Sequence, residues 1–280
     1  MRLDFTEFSY GYAFTENLIR SSTAGAAGFP VFPNLVQEAQ LGYDVKIDLP
    51  ALPLFFQFKL PELMVRHTAR EISQLALPGL SVPFFRMSLM RRNLSDQHAH
   101  LIRLETRFPD SVFYASPAFD SASTFNSAYG LAEVHSRSAL FSPADIGPLP
   151  DDESHAVSYT ATSLVGWRCS EPKKVGALRF ETLSQEFAGR LTQRAEHTLE
   201  DTIGEIREGV WPLLPSELRG AEAAIRDRIE ARSKAVLEAV SVDRIPVVST
   251  EILVLKELVR VGLGVDLLIA QPREPRKATK

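Results

Sequence analysis

The sequence predicts an α+β fold: an N-terminal part of alternating strands and helices, residues 1–175, followed by a mainly helical region, residues 176–280. Three observations carry this. Short runs of alternating or β-branched and aromatic character, bounded by Pro and Gly, recur between residues 43 and 160. Segments with apolar residues at three- and four-residue spacing lie between them. Beyond about residue 182 the helical period takes over, with Leu183, Phe187, Leu191, Leu199, Ile203 and Ile206.

The elements follow in order. Phe8, Tyr12, Phe14, Leu18 and Ile19 predict a helix over 7–20, ended by the small-residue run at 21–30. A short helix is expected at 34–40. Residues 43–49 and 54–60 read as the two strands of a hairpin turning at 50–53. A strand at 83–89 is followed by a helix capped by Ser95, with Leu101, Leu104 and Phe108 at core spacing. A strand at 112–115, a helix at 124–134, a proline-rich acidic surface loop at 142–153 and a strand at 156–160 complete this part. In the second part Trp211-Pro212 closes the first helix. Ser216 opens another, with Leu218, Ile225, Ile229, Val236 and Val240 as its stripe. A third covers 250–261, with Gly262 and Gly264 as stops.

Composition excludes several classes. With 45% apolar residues in 280, the chain can bury a core, which rules out wholesale disorder. Cys169 is the single cysteine, so there is no internal disulfide framework, as suits a cytoplasmic protein. The run 252–270 is broken by Lys256, Glu257, Arg260 and Asp266, too many charges for a membrane span. At Met1-Arg2-Leu3-Asp4-Phe5 an acid stands where a signal peptide has its apolar segment. The net charge of −4 argues against a non-specific polyanion coat. Residues 181–240 hold 12 acids against 8 bases, so the acidity belongs to the helical region. That region, whose apolar stripes need cover, is expected to pack on the core or on a partner, including a second copy of the chain. The patterns G-x-S-x-G, G-x-x-x-x-G-K and G-x-G-x-x-G are absent, which leaves serine-hydrolase and nucleotide-loop readings unsupported.

The hairpin carries the most chemistry. With period two, Asp44, Lys46 and Asp48 share one face, as do Phe55, Gln57 and Lys59 on the return strand. Paired about a tip at 51–52, Asp44 lies opposite Lys59 and diagonal to Gln57, about 7–8 Å away between backbones. An acid, an amide oxygen and an ammonium then converge, a set able to hold one hard divalent cation. The same alternation also describes any sheet with one wet face, in which case these side chains are solvated.

An aspartate on one strand, then Gln57-Phe58-Lys59 on the next, resembles the glutamine variant of the PD-(D/E)xK nuclease superfamily, as in its Mrr-like group. Gly42-Tyr43 replaces the family's proline before Asp44, and Gln57 is neutral where most members have an acid. The resemblance covers roughly residues 7–120, with the helix from Ser95 and the strand at Val112 as later elements. It implies a restriction-endonuclease-like mixed sheet flanked by helices. It also implies Mg²⁺ or Mn²⁺ held by Asp44, Gln57 and the carbonyl of Phe58, with Lys59 at the attacking water. Glu16 matches the glutamate that the family often adds from the preceding helix. The implied activity is metal-dependent endonucleolytic hydrolysis of nucleic acid, DNA in the first instance, in restriction or antiviral defence. The alternative is a catalytically inactive scaffold subunit of a larger complex. Weaker signals are a basic group at Arg86, Arg91 and Arg92, an acidic knot at Asp151, Asp152, Glu153 and His155, and His98 and His100, expected exposed or capping.

Overall fold

The computed structural model describes residues 3–21, 24–27, 50–162, 165–240 and 247–272. The expected helix at 34–40 and the first hairpin strand at 43–49, with Asp44, lie outside them. The elements run α1 (Glu7–Ser21), β1 (Ala24–Ala27), β2 (Leu52–Phe58), β3 (Glu62–Met64), α2 (Arg70–Ser73), β4 (Phe84–Ser88) and α3 (Gln97–Arg107). Next come β5 (Val112–Pro117), α4 (Ala122–Gly130), β6 (Ser138–Phe141), α5 (Pro143–Ile146), β7 (Ala156–Tyr159), β8 (Val165–Arg168) and β9 (Lys173–Gly176). Then follow α6 (Phe180–Gln193), α7 (Leu199–Val210), α8 (Ser216–Gly220), α9 (Glu222–Val240), α10 (Val247–Leu263) and β10 (Asp266–Pro272). The fold is mixed α+β. The chain divides into two compact units, Met1–Ser21 with Phe55–Leu183, and Ser22–Leu54 with Ser184–Lys280.

In the first unit β2, from Phe55 onward, runs parallel to β5, and β5 is antiparallel to β6. A parallel neighbour needs a long crossover, and the connection from β2 to β5 contains α3. Residues 52 and 53, expected in the hairpin turn, are instead the first two of β2. Every residue of this strand is buried, so the alternative of a solvated face does not apply to it. The reason is cover from both sides. On one face Phe14 of α1 meets Phe56 and Phe58 edge-on at 5.2 and 5.4 Å, and Tyr10 meets Phe58 at 5.5 Å. Gly11 makes that approach possible, since a Cβ there would stand 2.8 Å from the Phe58 ring. On the other face Phe55 packs against Phe108, just past α3, at 5.0 Å.

The second sheet of this unit is antiparallel throughout, in the order β3-β4-β7-β8-β9. It joins the first through Tyr159, whose ring lies 5.2 Å from Phe141 and whose hydroxyl donates to the Pro117 carbonyl at 2.7 Å. The stretch 142–153 is the expected exposed loop only over 150–153. Ser142 caps α5, Ile146 and Leu149 are buried, and cationic donors reach its carbonyls. Lys173 donates to Asp145 at 2.6 Å, and Arg168 to Ile146 and Pro148, each at 3.1 Å. The helix expected at 124–134 starts earlier, because Ser121 and Thr124 form a capping box ahead of Ala122.

In the second unit β1 and β10 pair antiparallel, Ala24 opposite Pro272. Thr198 and Asp201 form a capping box on α7, and Thr202 donates to the Ala51 carbonyl at 3.1 Å. Arg207, Glu222, Arg226 and Glu251 link α7, α9 and α10 in one charge network. The helix expected from Ser216 is two, α8 and α9. Gly262, expected as a stop, lies inside α10, and Gly264 with φ +67° follows the helix instead. A Cβ at Gly262 would stand 2.6 Å from Leu214 Cδ2 and 2.8 Å from Leu218 Cδ2. Gly262→Ala is therefore expected to destabilise by about 1–3 kcal/mol through overpacking. Gly204→Ala in α7, where nothing lies within 4 Å, should stabilise by about 0.5–1 kcal/mol. Urea denaturation of both variants checks the opposite signs.

Candidate active site

Gln57, Phe58 and Lys59 sit at the carboxyl end of β2, where the strand is registered against Tyr114 and Ala115 of β5. A crevice at the carboxyl ends of parallel strands is the usual ligand position in open α/β sheets. The Lys59 backbone is held on both sides, its N–H donating to Ala115 O at 3.0 Å and its carbonyl accepting from Ser116 Oγ at 3.0 Å. Its amine is half-buried. Burial pulls the Lys59 pKa below the ordinary lysine range, opposed by the nearby Glu7 carboxylate.

Gln57 is 6% exposed and faces α3. A buried amide must have both ends satisfied. Its Oε1 accepts from Gln97 Nε2 at 2.7 Å, and its Nε2 donates to its neighbour's carbonyl, Phe58 O, at 3.1 Å. Gln97 opens α3, with Ser95 Oγ accepting from its backbone N–H at 3.1 Å. The cap expected at Ser95 falls one residue later, at Asp96, which makes no side-chain cap bond; Ser95 only accepts from the first helical N–H.

His98 is not exposed or capping; it is buried at 4% exposure and anchors α3. Its Nε2 lies 2.9 Å from Gly147 O and its Nδ1 2.9 Å from Tyr114 Oη. A carbonyl only accepts, so Nε2 carries the proton. Burial, the largest effect, lowers the His98 pKa, and Arg168 and His155 push the same way, against the Gly147 bond. The ring is then neutral at pH 7 and Nδ1 accepts from Tyr114, whose own pKa burial raises. Spacing could have shown this, because His98 stands three residues before Leu101 on the buried stripe.

The remaining candidates are placed apart. Glu16 lies on α1, the helix that covers the Phe56 and Phe58 face, whereas Gln57 faces α3. The structure does not bring the two together. Glu16 Oε2 accepts from Asn17 Nδ2 at 2.6 Å, and Oε1 is 3.5 Å from Arg20 Nε. Each arginine of the basic group is engaged within the chain. Arg86 grips buried Glu71 bidentately at 2.6 and 2.5 Å, Arg91 donates to Ser154, and Arg92 pairs with Asp152 at 2.8 Å. Of the acidic knot, Asp152 pairs with Arg92, whereas Asp151 accepts from the Glu153 N–H and stays bonded to His155, which is buried and also bonded to Ser170. Cys169 is buried, and burial raises its pKa, so it stays a thiol, donating to Ser158 Oγ at 3.2 Å. Among the described residues no three His, Cys, Asp or Glu side chains group as a metal site. Among them, too, no helix is long and apolar enough to cross a membrane.

The His98 arrangement sets a pH dependence. Its folded pKa is below the unfolded value near 6.5, so the unfolded chain takes up a proton first as pH falls. The stability that neutral His98 contributes is present above about pH 6.5 and is lost below it, down to the folded pKa. His98→Gln should cost about 1–3 kcal/mol at pH 7.5, the penalty of disturbing a buried hydrogen-bonded group. Between pH 7 and 5 it should also lose less stability than the wild type. Parallel slopes in thermal melts across that range would count against the assignment. No protein-family model, no curated protein and no solved structure matches the chain.

Proposed function

We propose that the chain is a divalent-cation-dependent nuclease acting on nucleic acid, DNA in the first instance, with its site at the carboxyl end of β2. One observation carries the reading. Gln57-Phe58-Lys59 ends a strand that a crossover through α3 connects to a parallel neighbour, β5, the order of elements that the nuclease resemblance implies. A half-buried lysine at that strand end supports it.

The donors fit a hard cation in chemistry. Gln57 and Phe58 offer an amide and a carbonyl oxygen, the ligand types a hard cation takes. The resemblance adds the charge of Asp44, which lies outside the described residues. Such a cation, when bound, supplies Lewis-acid polarisation of a phosphodiester. Gln57 and the Phe58 carbonyl would hold it, and Lys59 would orient the attacking water and offset charge developing on a phosphoryl oxygen. A desolvated ammonium suits that task, since its field is less screened than a solvated one. Glu16, occupied by Asn17 and Arg20, has no part in this arrangement. A place in restriction or antiviral defence, in the cytoplasm, belongs to the same proposal.

A second reading, an inactive scaffold, is favoured by the Gln57 amide, both ends of which are used inside the protein. On either reading the helices beyond residue 184 offer a surface for a second copy or a partner. Val261 on α10, 58% exposed, is the large apolar side chain that supports this.

Plasmid cleavage with Mg²⁺ or Mn²⁺ tests the choice. Lys59→Ala should keep the fold and the Mn²⁺ response yet lose cleavage by about 10²-fold or more, the usual cost of one transition-state donor. Saturating Mn²⁺ should raise the melting temperature of the wild type, by mass action worth about 2.7 kcal/mol at a hundred times Kd. Asp44→Ala should abolish that rise. A folded wild type that neither cleaves nor responds to Mn²⁺ is the scaffold.

A further inference from the structure

The amide chain at the end of β2 has a direction. Its N–H groups point from Gln97 to Gln57 and from Gln57 to the Phe58 carbonyl, at 2.7 and 3.1 Å. In that direction the nitrogen of Gln57, and not its oxygen, faces Phe58 O. Two oxygens that are to share one cation cannot have an N–H of one aimed at the other. The Gln57 amide must turn over for its Oε1 to join the Phe58 carbonyl, and its Nε2 then faces α3.

What faces it there is Gln97, and a glutamine side chain can answer in either sense. It donates to Oε1 in the direction observed, and it accepts from Nε2 once both amides have turned. Gln97 is also well fixed. It opens α3, its backbone N–H is bound by Ser95 Oγ, and the next residue, His98, is anchored to Tyr114 and Gly147. Gln57 is buried, so water is a poor substitute partner for either end.

We propose that Gln97 is a positioning residue that sets the direction of the Gln57 amide, and that binding of a divalent cation reverses both amides together. This rests on the nuclease reading for the cation, whereas the dependence of Gln57 on Gln97 does not. Protein NMR separates the two. The Gln57 side-chain amide protons are assigned by their loss in Gln57→Met. In the metal-free wild type they should show contacts to backbone protons around Phe58 and Lys59. In Gln97→Glu, also without metal, the contacts should move to the side chain at 97, because a carboxylate only accepts. Glutamate is well tolerated in the first turn of a helix, so the variant should fold. An unchanged pattern in the folded variant would overturn the role of Gln97. Mg²⁺ added to the wild type should produce the same transfer. Saturable Mg²⁺ shifts without the transfer would overturn the coupled reversal and leave the cation site standing. No response of the wild type to tens of millimolar Mg²⁺ would overturn the cation site, and the metal-driven reversal with it. The Gln97→Glu result would still stand or fall on its own.

Discussion

A strand buried on both faces has no solvent to receive a polar side chain, and β2 carries one. Burying an amide without partners costs roughly 1–3 kcal/mol by mutational measures. The burial of Gln57 therefore requires a donor and an acceptor within reach, and the chain meets this with Gln97 and the Phe58 carbonyl. Much of the first unit follows from that need. Helix α3 must start where Gln97 can reach β2, and it is held there by His98 between Tyr114 and Gly147. The Gly147 carbonyl belongs to a turn that is itself ordered by Arg168 and Lys173.

The same constraint explains the aromatic content of the opposite face. Removing Phe56 and Phe58 from water needs a helix at very close range, and Gly11 gives α1 that range. Tyr10 and Phe14 then meet the strand edge-on, the arrangement that aromatic quadrupoles favour. Charges elsewhere are resolved in kind. Glu71, 3% exposed, has burial raising its pKa as the largest single effect, yet the bonds from Arg86, its own backbone and Ser158 outweigh it. Its carboxylate stays ionised and ties α2 to β4. An arginine so engaged is not available to phosphate.

Within the second unit, cohesion comes from a different source. Arginines and glutamates alternate across α7, α9 and α10 and satisfy one another, so the net acidity of the helices does not mean unpaired acid along their contacts. Such partly exposed pairs contribute little individually. The packing of Leu199, Ile206, Leu255 and Leu258, all buried, accounts for most of the helical cohesion.

Local pattern determined the helices and several strands. The stripe of Leu101, Leu104 and Phe108, the alternation at 84–88 and the capping residues each act over one or two turns, so they are visible in a window of sequence. The α+β class follows from them. The site was legible only as a set of types: Gln57 and Lys59 stand together at a strand end because they are two residues apart on one strand. Which helix covers which face was not legible, since partners fifteen or more residues away decide it. That is why Glu16 and Gln57 ended on opposite sides of β2, why Gln97 gave no signal, and why the arginines at 86, 91 and 92 are engaged by Glu71, Ser154 and Asp152. Period two shows that a face is shared, but only tertiary packing decides whether that face is wet. Here α3 decided it, because a strand with a parallel neighbour is reached by a crossover helix, and that helix takes the solvent's place.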